Sequence, residues 1–235
     1  EDWFINWADF PVLSVSAENK AAHWLRMSAE GTYDYDIDAR FYDARTDSWS
    51  DTITPHKDGV SAEHGFVSML PVGNGNTLMS WLDGRNTKTE AGYGEMTLRA
   101  GIFSARGETL SEWELDARVC DCCQTSAAMS AAGPIIVYRD RSAEEIRDIY
   151  VTRYVNGDWT PPVAIHDDQW EIAGCPVNGP SVAARRNFVA VGWFTAKDDS
   201  PKVQLALSTD SGEHFSAPIL VSGPDTIGRI DTAIL

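Results

Sequence analysis

The sequence predicts an all-β fold, a β-propeller built of four-stranded antiparallel blades. An aromatic residue inside a short apolar run recurs at Trp24, Trp81, Tyr138 and Trp193, at separations of 57, 57 and 55 residues. Alternating or β-branched runs between these positions are bounded by Gly, Asn, Asp and Pro, a pattern typical of strands joined by turns. Four-stranded units that repeat at this period are typical of propeller blades, which bury their faces against their neighbours.

Each repeat is expected to contribute four strands in a fixed order. The first strand follows a loop, the second carries the repeated aromatic, the third alternates, and the fourth follows a second aromatic residue. We therefore expect a single domain, residues 1–235, with about four blades near 9–62, 63–119, 120–174 and 175–223 and end strands at 1–8 and 224–235. Four blades leave an incomplete ring with exposed edges. The chain is then a fragment, a homo-oligomer that completes the ring, or a five-bladed ring closed by its end strands.

Charge and hydropathy exclude several classes of function. The chain has 19 Lys and Arg against 35 Asp and Glu, a net charge of −16. Such a surface repels phosphate backbones, so no nucleic-acid partner is expected. No apolar run approaches the roughly 20 residues that cross a bilayer, so no membrane span is expected. The first residues lack a signal-peptide pattern, which a processed chain would have lost, and we expect a periplasmic or secreted protein.

One turn, residues 208–215, fits the pattern Ser-x-Asp-x-Gly-x-x-aromatic in full. Asp210 is expected to accept backbone N–H groups across the turn, Gly212 to supply a positive φ, and Phe215 to fill the blade. This Asp-box pattern is a turn signature of sialidase-like propellers. Ser208, Asp210, Gly212 and Phe215 are therefore interpreted as structural residues.

The whole chain resembles sialidase-like proteins with BNR or Asp-box repeats, specifically a bacterial branch with CDCCQT and CPVNGP segments. The resemblance rests on residues 6–11, 63–66, 81–85, 120–125 and 175–180. It implies a sialidase-like propeller, of which this chain is an incomplete ring or part of a six-bladed one. It also implies a carbohydrate-active protein, a glycoside hydrolase acting on or binding an anionic glycan. Fold likeness alone assigns no activity, and the absence of the Arg-Ile-Pro motif makes sialidase turnover doubtful.

Loops before the first strand and after the second strand of each repeat are expected to open on one end of the propeller, where a site would form. In the sialidase scheme that the resemblance implies, three arginines hold the substrate carboxylate, a Tyr activated by a Glu attacks, and an Asp transfers the proton. The candidate catalytic residues are Glu63 as base, with Asp83 or Asp140 as proton donor. The candidate substrate-binding residues are Arg85, Arg139 and Arg141. An equally weighted alternative is that these charges form ion pairs between neighbouring blades.

The cysteines are expected to meet, because all four precede the first strand of adjacent repeats: Cys120, Cys122, Cys123 and Cys175. Adjacent Cα atoms lie about 3.8 Å apart whereas disulfides prefer roughly 4.4–6.8 Å, so Cys122 and Cys123 are not expected to bond to each other. The alternatives are a disulfide from Cys175 to one of the other three, a copper or zinc site with His64 as a further ligand, or reduced structural thiols. The expected partner is a small-molecule or glycan ligand. The rival function is a noncatalytic binding, redox or metal-binding propeller built on these cysteines.

Overall fold

The predicted all-β class is confirmed. A computed structural model describes residues 3–17 and 19–235, with 48% strand and 3% helix. The helical residues it describes belong to two short 3-10 turns, Gly73–Gly75 and Lys197–Asp199. Residues 1, 2 and 18, which belong to the predicted end strand 1–8 and the first predicted blade, lie outside the described residues.

Unit 1, residues 1–117, contains two antiparallel sheets of four strands each. The first sheet has the order β1 (Val12–Val15), β2 (Asn19–Met27), β3 (Tyr35–Asp43) and β4 (Ser48–Trp49). The second joins β5 (His64–Val72), β6 (Asn76–Asp83), β9 (Thr97–Phe103) and β10 (Thr109–Asp116). A small hairpin, β7 (Lys88–Thr89) and β8 (Gly92–Tyr93), lies between β6 and β9 in the chain. The first strands of the two sheets, β1 and β5, pack against each other.

Unit 2, residues 118–235, has two sheets of the same kind. The first joins β11 (Ser126–Met129), β12 (Pro134–Arg139), β13 (Ile149–Val155) and β14 (Asp158–Trp159), and β15 (Val163–Ala164) also pairs with β13. The second joins β16 (Ser181–Arg185), β17 (Phe188–Thr195), β18 (Lys202–Ser208) and β19 (Ile219–Ser222). Here too the two first strands, β11 and β16, pack together.

The repeated aromatic residues all lie on the second strand of a sheet, at Trp24, Trp81, Tyr138 and Trp193. Trp81 and Trp193 are fully buried. A buried indole needs an acceptor for its N–H group. Nε1 of Trp81 donates to Asp83 Oδ2 at 2.8 Å, and Nε1 of Trp193 donates to Asp168 Oδ2 at 2.6 Å. The sequence repeat is thus a repeat of core residues, with a carboxylate buried beside each of these two indoles.

The last strand, β19, ends at Ser222, and residues 224–235 form no strand where the sequence predicts one. Side chains hold the segment instead: Ser181 Oγ accepts from Thr232 N, and Asn178 Oδ1 accepts from Arg229 N, each at 2.9 Å. Such contacts fix single amide groups and do not set up a backbone ladder. The described part of the end strand at 1–8 contributes one bridge, from Trp3 to Arg26. The blade ranges and the closure of the ring stay predictions.

Candidate functional site

In unit 1, the loops before β5 and after β6 meet at one end of a sheet. His64 at the start of β5 is in register with Asp83 at the end of β6. Next to this pair, Gly84 N donates to Glu63 O at 2.8 Å, and a Cβ on Gly84 would lie 2.5 Å from that oxygen. Only glycine fits this contact. The structure thus brings four of the sequence-predicted site residues together: Glu63, His64, Asp83 and Arg85.

A buried tyrosine holds the side chain of Glu63. Tyr35, at the start of β3, is fully buried and donates from its hydroxyl to Glu63 Oε1 at 2.8 Å. Burial, with the nearby charge of Glu63, raises the pKa of Tyr35 well above its ordinary value, so the phenol stays protonated and donates. Glu63 itself is half-buried. This Tyr–Glu pair was missed in the sequence, because its members are 28 residues apart, one at the start of β3 and the other in the loop before β5.

Asp9 is a second buried acid close to this pair. Its Oδ2 accepts from Phe66 N at 2.6 Å, and only 1% of the residue is exposed. Burial and, to a smaller extent, the charge of Glu63 raise the pKa of Asp9 to about 7, although the backbone N–H groups of Phe66 and Phe10 lower it. A Cβ on Gly65 would lie 2.0 Å from Asp9 Oδ2, so the carboxyl group packs directly on the glycine. Asp9 is therefore a carboxyl group that gains or loses its proton near neutral pH.

His64 is fully buried and faces two carboxylates. Its Nδ1 lies 3.2 Å from Ala62 O, which leaves Nε2 at 3.3 Å from Asp58 Oδ2 and 3.6 Å from Asp83 Oδ1. Nε2 makes no well-aligned hydrogen bond, so these are ion-pair contacts. Burial lowers the pKa of His64, but the two carboxylates outweigh burial and raise it to about 9. A neutral ring would point a lone pair at two negative groups, so His64 carries a proton here.

Asp83 is an anchor and does not serve as the predicted proton donor. It is fully buried, and its two oxygens accept from Arg85 N at 3.1 Å, Arg85 Nε and Nη2 at 2.7 Å each, and Trp81 Nε1 at 2.8 Å. These donors outweigh the effect of burial and hold the pKa of Asp83 well below its usual range. The carboxylate has no proton to give near neutral pH. Arg85, with a fifth of its side chain exposed, is fixed by this bidentate contact.

The same side chains have the spacing of a metal site but favour a proton. Ligand atoms of Asp58, His64 and Asp83 lie within 4.8 Å of one another. The oxygens of Asp83 are already occupied, and Arg85 Nη2 lies 3.6 Å from Asp58 Oδ2. His56 stacks on His64 at 3.8 Å between ring centroids, but its Nε2 accepts from Ile37 N at 3.2 Å. The negative charges of Asp58 and Asp83 are therefore balanced by the protonated His64 and by Arg85, without a metal ion.

In unit 2, the cysteines meet just before β11. Cys122 forms a disulfide with Cys175, with the Cα atoms 6.0 Å apart across 53 residues of chain. Cys120 and Cys123 are free and buried, with their Sγ atoms 3.4 Å apart. The Sγ atoms of Cys120, Cys122 and Cys123 lie within 4.8 Å of one another. We call these four residues the cysteine cluster.

The electrostatics of the cysteine cluster favour a thiolate at Cys120. Arg147 Nη1 donates to Cys120 Sγ at 3.2 Å, which favours the negative charge of the pair on Cys120 and the proton on Cys123. The contact with Cys123 and the positive charges of Arg147 and Arg139 lower the pKa of Cys120, whereas burial raises the pKa of Cys123 well above its ordinary value. This donor set does not fit the predicted copper or zinc, because two sulfurs are joined in a disulfide and the guanidinium groups repel a cation. His64, the predicted further ligand, is already engaged by Ala62 and Asp58.

Arg139 is a structural residue and not a carboxylate clamp. It is 1% exposed, and its guanidinium group donates only to backbone carbonyls in the contacts described. Nε and Nη2 bond to Asn178 O at 3.0 and 2.8 Å, Nη1 to Arg147 O at 2.5 Å, and Nη2 to Phe194 O at 2.7 Å. The group also lies 5.0 Å from the ring centroid of Trp170. A ligand carboxylate could not reach it without breaking these bonds.

Arg141 and Asp140 lie where β12 has ended. Arg141 Nη2 bonds to Glu145 Oε1 at 2.7 Å, its Nε contacts both Glu145 oxygens, and its Nη1 lies 3.4 Å from Asp121 Oδ2. Asp140 N donates to Asp148 O at 2.9 Å, and Asp140 forms an isolated antiparallel β-bridge with Val119. The roles of Asp140 in proton transfer and of Arg141 in substrate binding stay predictions.

A cleft of about 400 Å³ opens beside the cysteine cluster. Four charged residues, two small residues and the exposed end of the disulfide line it: Asp121, Arg141, Glu145, Arg147, Ala173, Gly174 and Cys175. Glu145 pairs with both arginines, and these contacts lower the pKa of Glu145 to about 2. Neither Glu145 nor Arg147 was singled out in the sequence, because no local pattern marks them.

The Asp-box turn is held by its own side chains. Asp210 Oδ1 accepts from Glu213 N at 3.1 Å and from His214 N at 3.0 Å. Ser208 Oγ donates to the same carboxylate at 2.7 Å and accepts from Gly212 N at 2.9 Å. Gly212 has a φ of +79°, and Phe215 packs against the core of unit 2.

No helix in the part of the chain that the structure describes is long and apolar enough to cross a membrane.

Comparison with known proteins gives a fold likeness. No family model and no curated protein matches the chain. A solved polysaccharide lyase, an ulvan lyase of family PL25, superposes with a TM-score of 0.59 at 12% identity, covering 92% of this chain and 56% of the lyase. A mutant of the NanB sialidase from Streptococcus pneumoniae gives 0.53 at 9% identity, covering 91% and 51%. A protein of unknown function from Dyadobacter fermentans gives 0.55 at 12% identity, covering 93% and 71%.

These likenesses support a propeller-like fold. The chain spans about half the length of the lyase and the sialidase that it resembles. At these identities the likeness concerns the fold.

Proposed function

We propose that this chain belongs to a glycan-active protein and that unit 1 binds or acts on an anionic glycan at Glu63 and Arg85. The observation that carries the proposal is a half-buried carboxylate held by a buried phenol, beside a partly exposed guanidinium group held by a buried carboxylate. The two side chains leave adjacent loops whose backbones are in contact. Fixed polar groups on a rigid β scaffold are typical of ligand sites.

Glu63 is the group that would meet the sugar as a base or hydrogen-bond acceptor. Tyr35 is a positioning residue, because its side chain is fully buried. This departs from the sialidase scheme, in which the Tyr attacks the substrate. We therefore expect weak or no turnover of simple sialosides. Asp9, which is also buried, would act only through its neighbours.

Arg85 is the group that would contact a carboxylate or sulfate of the ligand. Asp83 fixes the plane of the guanidinium group, and a fifth of the side chain remains exposed. Guanidinium groups pair well with oxyanions because they present several donors in one plane. The proposal also draws on the ulvan lyase, whose structure is described as bound to a glucuronate and sulfated rhamnose unit. An anionic glycan of that chemical class is the ligand we would test first.

The test is calorimetric titration with ulvan oligosaccharides and with a neutral oligosaccharide of equal length. We expect Arg85→Lys to weaken the anionic ligand about tenfold, the loss of roughly 1.4 kcal/mol that one charge-assisted hydrogen bond contributes. Binding of the neutral sugar should change little. Arg186→Lys, at an exposed position, is the matched control. Thermal unfolding of both variants checks that Asp83 still holds the loop.

A reaction is tested separately from binding. Ulvan is incubated with the protein, and new reducing ends are measured as the sign of cleavage. Ultraviolet absorbance of an unsaturated uronate together with the new ends indicates a lyase, and new ends without that absorbance indicate a hydrolase. Glu63→Gln should then abolish turnover but retain most of the affinity, because the amide still accepts a hydrogen bond. Equal affinity of wild type for charged and neutral sugars, or an Arg85→Lys variant that binds the anionic sugar normally, contradicts the proposal.

A further inference from the structure

The cysteine cluster contains a dithiol and a disulfide side by side. The free sulfurs of Cys120 and Cys123 are 3.4 Å apart, and both lie within 4.8 Å of Cys122 Sγ, one end of the disulfide. The other end, Cys175, is exposed at the cleft. Three of the four cysteines are thus buried, and the fourth is exposed at the cleft.

The charges around the cluster suit sulfur chemistry. A thiolate is the nucleophile in disulfide exchange, and positive neighbours favour it. The guanidinium group of Arg147 donates directly to Cys120 Sγ. Cys122, the nearest disulfide sulfur, is therefore within reach of an anionic sulfur that Arg147 holds in place.

We propose that the cysteine cluster is a thiol–disulfide relay, in which the buried dithiol Cys120/Cys123 reduces a disulfide substrate in the cleft through the Cys122/Cys175 pair. This activity is independent of the glycan site proposed for unit 1. The substrate class is a small-molecule disulfide.

The internal step needs no outside oxidant. The Cys120 thiolate attacks Cys122 Sγ, so that a Cys120–Cys122 bond forms, the Cys122–Cys175 bond breaks, and Cys175 leaves as a thiolate. Cys123 then loses its proton and attacks Cys120 Sγ, which forms Cys120–Cys123 and releases the thiolate of Cys122. The disulfide has moved inward, which leaves Cys175 free at the cleft and Cys122 free behind it.

The second stage consumes the substrate. The Cys175 thiolate attacks one sulfur of the substrate disulfide, which forms a mixed disulfide and releases the first substrate thiolate. Cys122 then attacks Cys175 Sγ, which restores the Cys122–Cys175 bond and releases the second substrate thiolate. The proton given up by Cys123 and one further proton from water complete the two product thiols. The substrate gains two electrons, and Cys120/Cys123 loses two.

The first experiment traps the internal step in the wild-type chain. Native protein without reductant is incubated with iodoacetamide, quenched in acid and mapped by mass spectrometry. We expect alkylated Cys122 and Cys175 to accumulate together with a Cys120–Cys123 disulfide. Persistence of an unalkylated Cys122–Cys175 disulfide after many hours, while a small model disulfide with a free thiol exchanges, would falsify the proposal. This arm needs no variant and does not depend on the stability of one.

The second experiment follows a coloured disulfide reagent, dithiobis(nitrobenzoate). Wild type should release two equivalents of the coloured thiol and end with both disulfides formed. Cys123→Ser should release only one equivalent, because the exchange halts at the Cys120–Cys122 bond and Cys122 cannot release the reagent from Cys175. Arg147→Gln should slow the reaction about tenfold and move its pH profile upward. Arg186→Gln is the control for charge. A Cys122→Ser/Cys175→Ser double variant that is folded and reacts as fast as wild type would show direct reaction of the buried thiols and would overturn the relay.

Discussion

Replacement of Arg139 separates a structural arginine from a ligand-binding one. Arg139→Met removes the donor to the buried carbonyls of Arg147 and Phe194 and to the part-buried carbonyl of Asn178. Each buried group left unsatisfied costs about 1–3 kcal/mol, so the three carbonyls together cost at most roughly 9 kcal/mol, and removal of a buried charge offsets part of this. We expect a net loss of about 3–5 kcal/mol, equivalent to a fall in Tm of about 6–20 °C.

The assay is urea unfolding at pH 7, supported by calorimetry. Arg139→Lys should lie between wild type and Arg139→Met, since an ammonium group keeps the charge but cannot reach all three carbonyls. Arg186→Met, at an exposed position, controls for the loss of one positive charge. If Arg139→Lys unfolds at the wild-type midpoint but binds an anionic sugar more weakly, Arg139 is a ligand residue and the structural reasoning is refuted.

Two further predictions concern pH and turn geometry. His64, whose pKa is raised to about 9 from an ordinary 6.5, should contribute stability that is fully present below pH 6.5 and is lost as the pH rises through 9. His64→Gln should flatten this part of a plot of unfolding midpoint against pH. An unchanged slope would contradict a buried imidazolium. Asp210→Ala should lower the urea midpoint more than Asp225→Ala, because it removes the acceptor of two backbone N–H groups, and Asp210→Asn should fall between them. Since these contacts lower the pKa of Asp210, its contribution should be lost in acid as the pH falls through that lowered value.

Local spacing in the sequence was informative wherever partners are close along the chain or one repeat apart. The aromatic series placed Trp81 and Trp193 on second strands, where the structure has them. Asp83 and Arg85, two residues apart, were selected as separate functional groups, but they bond chiefly to each other. The sequence alternative was an ion pair between neighbouring blades, and Asp83 and Arg85 instead form an ion pair two residues apart in the chain. A short spacing of opposite charges does not by itself tell an anchor from a ligand group.

Burial and the path of distant loops were beyond the sequence. Arg139 and Arg141 differ by two positions and look equivalent in the sequence, yet the first is buried and the second is paired at a cleft. The difference arises because Asn178 and Phe194, 39 and 55 residues further along, bring their carbonyls to Arg139. The Tyr35–Glu63 bond has the same origin, since it joins the start of a third strand to the loop before the next sheet.

The repeat period also explains which residues of neighbouring sheets can meet. In each unit the two first strands pack together, so a residue near one first strand finds its partner about one repeat later. Asp9 bonds to Phe66 and Asn19 to Asn76 across 57 residues, and Ser126 bonds to Val182 across 56. The Cys122–Cys175 disulfide, which spans 53 residues, follows the same relation. It therefore joins the two sheets of unit 2 at the loops that precede their first strands. The proposed internal step would replace this bond between sheets by the Cys120–Cys123 bond, which lies within a single turn. It would therefore couple the redox state of the cysteine cluster to the packing of β11 on β16.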